Sequence, residues 1–353
     1  MFEVYATTRY QQLEQIGIGE GMNSTVFRAF DPYLERYIAV KEIKKSNLGN
    51  DLDAYCKEAR TMFAMRDSNI VGVEYVCETT DHIALALPYF ANGSLQARVK
   101  HNPLGLVQFL KVAQGVLAGV ARIHTSRFLH LDLKPSNIFF DAAERPLIGD
   151  FGQSRKLSGG TVRFPAVYKW AMPPEVWDSH VATVESDIYQ LGVLLYRAVN
   201  GDPLYRSQRA AIATDGELQG LIRKGRFPNP KLFLPHVPKR IRTIIRKATR
   251  VLPAERFHSA SDLAEALGRV SPLLDWVTSS MGGGSLQWRA VRPSYADIEV
   301  NLLPHGSGEW KTEVWTVNAA EHRRKGLSDY WAKGLTHQAA FEHLTEVFAD
   351  LAQ

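Results

Sequence analysis

A chain of 353 residues that is 45% hydrophobic and 22% charged can bury a large core, which excludes a disordered or collagen-like polymer. Its 42 basic and 37 acidic side chains leave a formal charge of +5, too small an excess for a dedicated nucleic-acid binder. The 2 cysteines, Cys56 and Cys77, cannot staple so long a chain, so a reducing, cytoplasmic setting is expected, with both thiols as small buried hydrophobes.

The start, MFEVYATTRY, has no leader pattern. Tyr10 to Gly17, Thr25 to Asp31, Arg36 to Ile43, Val71 to Cys77 and His82 to Leu87 read as short strands of an antiparallel sheet. Asp53 to Met65 interrupts them with Cys56, Ala59, Met62 and Phe63 at helical spacing. From Pro103 onward the pattern turns helical: Leu106 to Ser126, Ser186 to Asn200, Pro238 to Arg250 and Ser259 to Val270. The most apolar windows, 109–123 and 188–199, are broken by Lys111, Gln114, Arg122, Gln190 and Arg197. They fall short of the roughly 18 clean apolar residues that a membrane helix needs. The Ser/Gly stretch VTSSMGGGS, between Trp276 and Leu286, predicts a linker and a domain boundary.

Beyond it, Ile298, Val300 and Leu302 alternate with polar residues, Pro304 to Gly308 turns the chain, and Trp310 to Val317 forms the return strand. A helix follows near Thr336, with Leu335 as a staple and Phe341, Leu344, Phe348 and Leu351 on one face. A hairpin and a helix make a marginal core, so this module is expected to dock on the rest of the chain or on a protein partner, and a chain cut near Thr278 is expected to fold. His322 to Lys325 is a short basic run for which protein recognition is the better reading than nucleic acid.

Chemistry concentrates in two places. Gly19, Gly21 and Ser24 form G-x-G-x-x-S before Val26, a pattern that lets backbone N–H groups approach phosphates but is weak alone, since a glycine hairpin reads the same. Lys41, in the apolar strand Ile38-Ala39-Val40-Lys41, needs an anion, and Glu58 on the first helix can supply one. The second cluster is more specific. His130-Leu131-Asp132-Leu133-Lys134-Pro135-Ser136-Asn137 sets a carboxylate, an ammonium and an amide in one loop, and Asp150-Phe151-Gly152 follows. Phosphoryl transfer needs one carboxylate to take the proton of an attacking hydroxyl, and an Asn and a second Asp to offer hard oxygens to Mg2+.

With GEGMNSTV, IAVKEI, KEAR, HLDLKPSN, GDFG, PPE, SDIYQLGVLLYRAVNG and PAERF, the chain from about Tyr10 to Val270 resembles the eukaryotic-type protein kinases. The resemblance implies an α+β, bilobal fold: a small β-rich N-lobe and a larger helical C-lobe spanning 10–270, after an extension (1–9) and before a linker (271–286) and a hairpin-helix module (287–353). It implies ATP in the cleft against Gly19, Gly21, Ser24, Val26, Ala39, Lys41, Leu87, Tyr89 and Phe139, with Leu87 as gatekeeper and Pro88-Tyr89-Phe90 as hinge. By the same resemblance, Lys41, Glu58, Asp132 and Lys134 are catalytic and Asn137 and Asp150 hold Mg2+. Glu175 and Arg256 pair beneath the activation segment, Asp187 anchors the catalytic loop, and Met62, His130 and Phe151 line an apolar spine.

The implied activity is transfer of the γ-phosphoryl group of ATP to Ser/Thr hydroxyls of proteins. Some features depart from the family. Ser24 replaces a glycine. Leu131 stands where many members have the Arg that pairs with a phosphate on the activation segment, so activation by phosphorylation of Ser154, Ser158, Thr161 or Tyr168 is not expected. The segment FPAVYKWAMPPE lacks the usual Gly-Thr, and its Lys-Trp pair resembles tyrosine kinases, whereas Lys134 two residues after Asp132 is the serine/threonine pattern. A nucleotide-binding scaffold without turnover, a tyrosine or dual-specificity kinase and a small-molecule phosphotransferase are the alternatives. Lys239, Arg240, Arg242, Arg246, Lys247 and Arg250 read as a solvated basic helix face, and His124 as a hydrogen-bonded structural histidine.

Overall fold

A computed structural model describes residues 8–17, 24–47, 52–165, 168–272, 274–318 and 323–352. The first lobe is an antiparallel sheet of β1 (Gln11–Ile16), β2 (Ser24–Asp31), β3 (Arg36–Lys44), β4 (Tyr75–Glu78) and β5 (His82–Pro88), ordered β1-β2-β3-β5-β4, with helix α1 (Leu52–Ala64) beside it. Alternation along β3 sets the two faces. Ile38 and Val40 are fully buried with Ala29, Ala84 and Ala86 on one side, so Ala39 and Lys41 lie on the other. On α1, Ala59 and Met62 enter the core, but Phe63 is 63% exposed beneath the guanidinium of Arg66.

The expected strand at Val71 starts only at Tyr75. Val71 is used differently: its N–H donates to the Ile148 carbonyl (2.9 Å), and Ile148 N–H donates back to Asn69 (2.8 Å), stitching the segment before β4 to the second lobe. An apolar run identifies burial here, not the partner strand.

The second lobe contains α2 (Leu95–Val99), α3 (Leu106–Thr125), β6 (Phe128–Leu129), β7 (Ile138–Phe140), β8 (Pro146–Ile148), β9 (Arg155–Lys156) and β10 (Val162–Arg163). It continues with α4 (Val176–Ser179), β11 (Val181–Ala182), α5 (Val184–Asn200), α6 (Asp202–Ala210), α7 (Asp215–Arg223), α8 (Lys239–Ala248) and α9 (Ala260–Gly268). Among the described residues α3 is the one helix long and apolar enough to cross a membrane, yet Phe109, Val112, Val116, Leu117, Val120 and Ile123 are buried in the core, which accounts for its composition. Gly119 lets it pass β8: a Cβ there would lie 2.8 Å from Ile148 Cδ1. Helix α5 is buried from Ser186 through Asn200 and forms the centre of the lobe. The basic helix α8 is only partly a solvated face. Arg242 donates to the carbonyls of Pro235 and Val237 (each 2.7 Å) and Arg246 to that of Pro230 (2.6 Å), fastening the preceding loop.

The largest departure from expectation lies at the C-terminal end. The stretch read as a linker is β12 (Trp276–Gly282), turned through Gly282, Gly283 and Gly284, all with positive φ, into β13 (Ser285–Ala290). Serines and glycines serve a tight hairpin here, because only glycine adopts three successive left-handed conformations without strain. β14 (Asp297–Pro304), β15 (Trp310–Asn318), β16 (Arg323–Gly326) and β17 (Ala332–Leu335) complete a 6-stranded sheet ordered β12-β13-β14-β15-β16, with β17 also paired to β15, before α10 (His337–Asp350).

This unit is thus a sheet with a helix, starting near Trp276, rather than a hairpin with a helix starting at 287. Thr336 caps α10, accepting from Ala339 N–H (3.2 Å); Leu344 and Phe348 are buried, and Phe341 and Leu351 are half-buried at the rim. The sheet is joined to the second lobe. Trp276, Trp288 and Phe348 form an edge-to-face cluster, and the Trp288 indole N–H donates to Nδ1 of His236 on the loop before α8 (2.9 Å). Asp275 Oδ1 accepts from Val107 N–H at the first turn of α3 (2.9 Å), where Gly105 offers no side-chain cap. Asn102 Oδ1 accepts from Ser280 N–H on β12 (2.9 Å). A cut at Thr278 would therefore divide a paired strand and uncover the second lobe's apolar base.

Candidate active site

Lys41 lies on the cleft side of β3 because Val40 points to the opposite core. Its Nζ donates to Glu58 Oε1 (3.0 Å) and Oε2 (3.1 Å) on α1 and to Asp150 Oδ1 (3.0 Å). Burial works against the ammonium, but the two carboxylates override it and hold Lys41 above its ordinary pKa. Burial likewise disfavours the Asp150 carboxylate, and Lys41 more than compensates, keeping it below the usual range. Both groups are charged at neutral pH. Around them, Val26 pairs with Lys41 and Ala39 with Leu87 in the strand register, while Phe139 stacks on Phe90 (5.6 Å) at the floor. Tyr89 receives the Arg28 guanidinium at 5.2 Å, and Ser24 opens β2 opposite Ile43. Gly19 and Gly21 lie outside the described residues.

The catalytic loop is built around Asp187, a fully buried carboxylate on α5. Asp187 accepts from the N–H groups of His130 (2.8 Å) and Leu131 (2.9 Å) and from His124 Nε2 (2.9 Å), which gives His124 the structural part expected of it. Three residues along the same helix face, Gln190 clasps the loop as well: its Oε1 accepts from Leu133 N–H (3.0 Å) and its Nε2 donates to the Leu131 carbonyl (2.9 Å). Gln190 was not singled out from the sequence, although its spacing of three from Asp187 on an apolar helix was the available signal.

So held, the loop brings its polar side chains together. Lys134 Nζ donates to Asp132 Oδ2 (2.8 Å), and Asn137 Nδ2 donates to the same oxygen (3.0 Å) and to the Asp132 carbonyl (2.8 Å). Asp132 Oδ1 has no protein donor among the described residues, so it is open to a hydroxyl. The amide nitrogen of Asn137 is committed to Asp132, which leaves its oxygen as the hard donor. Asp150 commits one carboxylate oxygen to Lys41 and keeps the other. These hard oxygens of Asn137 and Asp150 are the donor type that would hold Mg2+.

His130 packs edge-on against Phe151 (4.9 Å) and its Nε2 is 3.1 Å from the Gly149 carbonyl, while Met62 and Phe151 are each 1% exposed and belong to one core cluster. The Arg256 guanidinium grips Glu175 with two hydrogen bonds (2.9 and 2.7 Å). Leu131 does more than omit a cation. Its side chain is fully buried with Leu129, Phe164, Val176 and Ala182, and β10 pairs with β11 beside it. The activation segment is thus seated by apolar contact and a short ladder. Of the hydroxyls on this segment, that of Ser154 is buried (4% exposed) on the His130 carbonyl (3.4 Å), whereas Ser158 and Thr161 flank an exposed Gly159-Gly160 turn.

Comparison with known proteins agrees with this geometry. The protein kinase domain family matches residues 10–266. The chain is 29% identical over 332 residues to serine/threonine-protein kinase PrkC of Bacillus subtilis, covering 92% of this chain and 49% of that protein. It is 29% identical over 258 residues to serine/threonine-protein kinase PknK of Mycobacterium tuberculosis (71% and 23%). To the probable serine/threonine-protein kinase PknB of Lactococcus lactis it is 28% identical over 251 residues (68% and 38%). The chain spans about half, or less, of the length of these relatives. The matched range contains the strand lysine and both loop aspartates, and the chain belongs to the protein kinase family.

Proposed function

We propose that the chain is an active kinase that transfers the γ-phosphoryl group of ATP to serine or threonine hydroxyls of proteins, its own chain among them. The observation that carries this reading is the hydrogen-bonded set Asp132, Lys134 and Asn137 on one loop, completed by Asp150 and the Lys41–Glu58 pair. Asp132 Oδ1 is the acceptor for the proton of the attacking hydroxyl, and Asn137 and Lys134 fix the carboxylate by its other oxygen. Lys134 also places a positive charge beside that oxygen, where negative charge builds on the transferring group. Lys41, held from behind by Glu58, directs an ammonium toward the phosphates of the nucleotide. Asn137 and Asp150 would hold Mg2+, whose chemistry is neutralisation of phosphate charge.

The test is incubation with Mg2+ and γ-labelled ATP. Label should enter the chain itself and a generic protein substrate, mainly as phosphoserine or phosphothreonine, and Asp132→Asn should abolish it. A wild-type protein that binds ATP and never transfers label would instead be a nucleotide-binding scaffold.

A further inference from the structure

We infer that Tyr168 is a positioning residue for Lys134, its ring forming the wall that holds the ammonium against Asp132. This rests on the kinase reading of the site. Lys134 Nζ has two neighbours of opposite kind: Asp132 Oδ2 at 2.8 Å, and the face of the Tyr168 ring, whose centroid is 5.5 Å away. An ammonium over an aromatic face is attracted to the ring quadrupole, and the attraction grows where water is kept out. Lys134 is such a case, with a side chain only 16% exposed. One carboxylate contact alone would leave a four-carbon chain free to swing, because Lys has several staggered torsions and a point charge that accepts many geometries. The ring face supplies the second contact.

Tyr168 is itself held at both ends. Arg209 on α6 donates to its hydroxyl (3.4 Å), and the same guanidinium lies 4.2 Å over the Trp170 ring. The backbone two residues on is fixed by Tyr205, fully buried on α6, whose hydroxyl donates to the Trp170 carbonyl (2.9 Å). Trp170 in turn packs against Phe227 (5.7 Å). A chain of rings and guanidinium therefore runs from the buried wall of α6 to the catalytic lysine. The Arg209–hydroxyl bond is long, so the ring face, not the phenol oxygen, is the part that acts on Lys134.

The experiment combines kinetics with a spectroscopic report on the full chain. Tyr168→Phe keeps the face and should retain kcat within about twofold. Tyr168→Ala removes it and should lower kcat about tenfold, the size of a cation–π contact at a partly desolvated site, with KM for ATP unchanged. In a Lys134→Met background, where no ammonium remains to be placed, Tyr168→Ala should cost less than twofold. With lysines 13C-dimethylated, the Lys134 methyl resonance, assigned by its loss in Lys134→Met, should be shifted by the ring in wild type and Tyr168→Phe and not in Tyr168→Ala.

An equal loss from Tyr168→Ala in both backgrounds would show that it merely loosens the activation segment, and would overturn the assignment. So would a Tyr168→Ala enzyme with wild-type kcat, or a Lys134 resonance indifferent to it. The resonance is read without turnover. A wild type that shows the ring shift but transfers no phosphate would sink the kinase reading and with it any catalytic purpose for this contact, while leaving the contact itself established.

Discussion

Replacing Trp288 with alanine should destabilise the kinase lobe and not merely the sheet that carries the tryptophan. Trp288 is fully buried, packs edge-on against Phe348 (5.3 Å) and donates its indole N–H across the junction to His236. Truncating a buried tryptophan costs about 3–5 kcal/mol, and leaving the His236 nitrogen unpaired adds about 1–3 kcal/mol. For a chain of this size about 2 °C of midpoint is lost per kcal/mol, so the transition should fall by roughly 10 °C. Trp288→Phe keeps a six-membered ring against Phe348 but loses the fused pyrrole ring with its N–H; the lost hydrogen bond alone accounts for about 2–6 °C, and the total fall should lie between that and the fall for Trp288→Ala.

The assay is scanning calorimetry of both variants, with Mg2+-dependent nucleotide binding followed across the same temperatures. One joint transition that moves down, taking nucleotide binding with it, is expected. If Trp288→Ala produced a separate low-temperature transition and left the nucleotide-binding transition in place, the sheet would be an independent domain and the argument would fail.

Lys41→Met, Asp132→Asn and Asp150→Ala should each lower phosphoryl transfer by at least roughly 10²-fold in labelled-ATP assays, since each removes a group that meets developing charge. Combined Ser158→Ala and Thr161→Ala should keep most activity, and phosphatase treatment should leave the rate unchanged, because apolar contacts seat the activation segment; Leu131→Arg should impair folding by pushing a cation into that cluster. Stability should also depend on His236, whose imidazole is pulled down to about 3, first by burial and then by Arg242. Below about pH 6.5 the unfolded chain takes up a proton that the folded chain refuses, so stability declines toward acid by up to ~1.4 kcal/mol per pH unit from this group. His236→Gln, whose amide oxygen can still accept from Trp288, should flatten that slope in denaturant titrations at pH 4–6.

The catalytic loop was legible because its chemistry is contiguous: Asp132, Lys134 and Asn137 lie within one turn of chain, and no packing detail is needed to see why they belong together. The long helix α5 was legible for a different reason, an apolar run after Asp187 that is interrupted by Gln190 and Arg197. What the sequence hid was mostly a matter of partners. Leu129, Leu131, Phe164, Val176 and Ala182 form one cluster, yet nothing local in any of them marks the others. Gln190 resembles any polar residue interrupting a core helix until the loop it clasps is in place. At VTSSMGGGS, composition was ambiguous in principle, because serine and glycine suit a flexible tether and a tight hairpin equally; only the buried partners of Trp276 and Thr278 decide between them. Helical spacing grouped Phe63 with Ala59 and Met62 but does not say how far the core extends, and Phe63 is exposed.

Asp275 caps α3 across a separation of 168 residues. On the ribosome that distance becomes a delay. Domains tend to fold as their last required residues emerge, and synthesis runs at about 5–20 residues per second. Helix α3 is made early, but its N-terminal cap and the tryptophans that cover the lobe's base are made much later. The first lobe therefore has all its strands long before the second can close. A nascent chain arrested after α9 should hold a folded sheet over an unsealed helical half, and the segment from β12 to α10 seals the larger lobe rather than trailing from it.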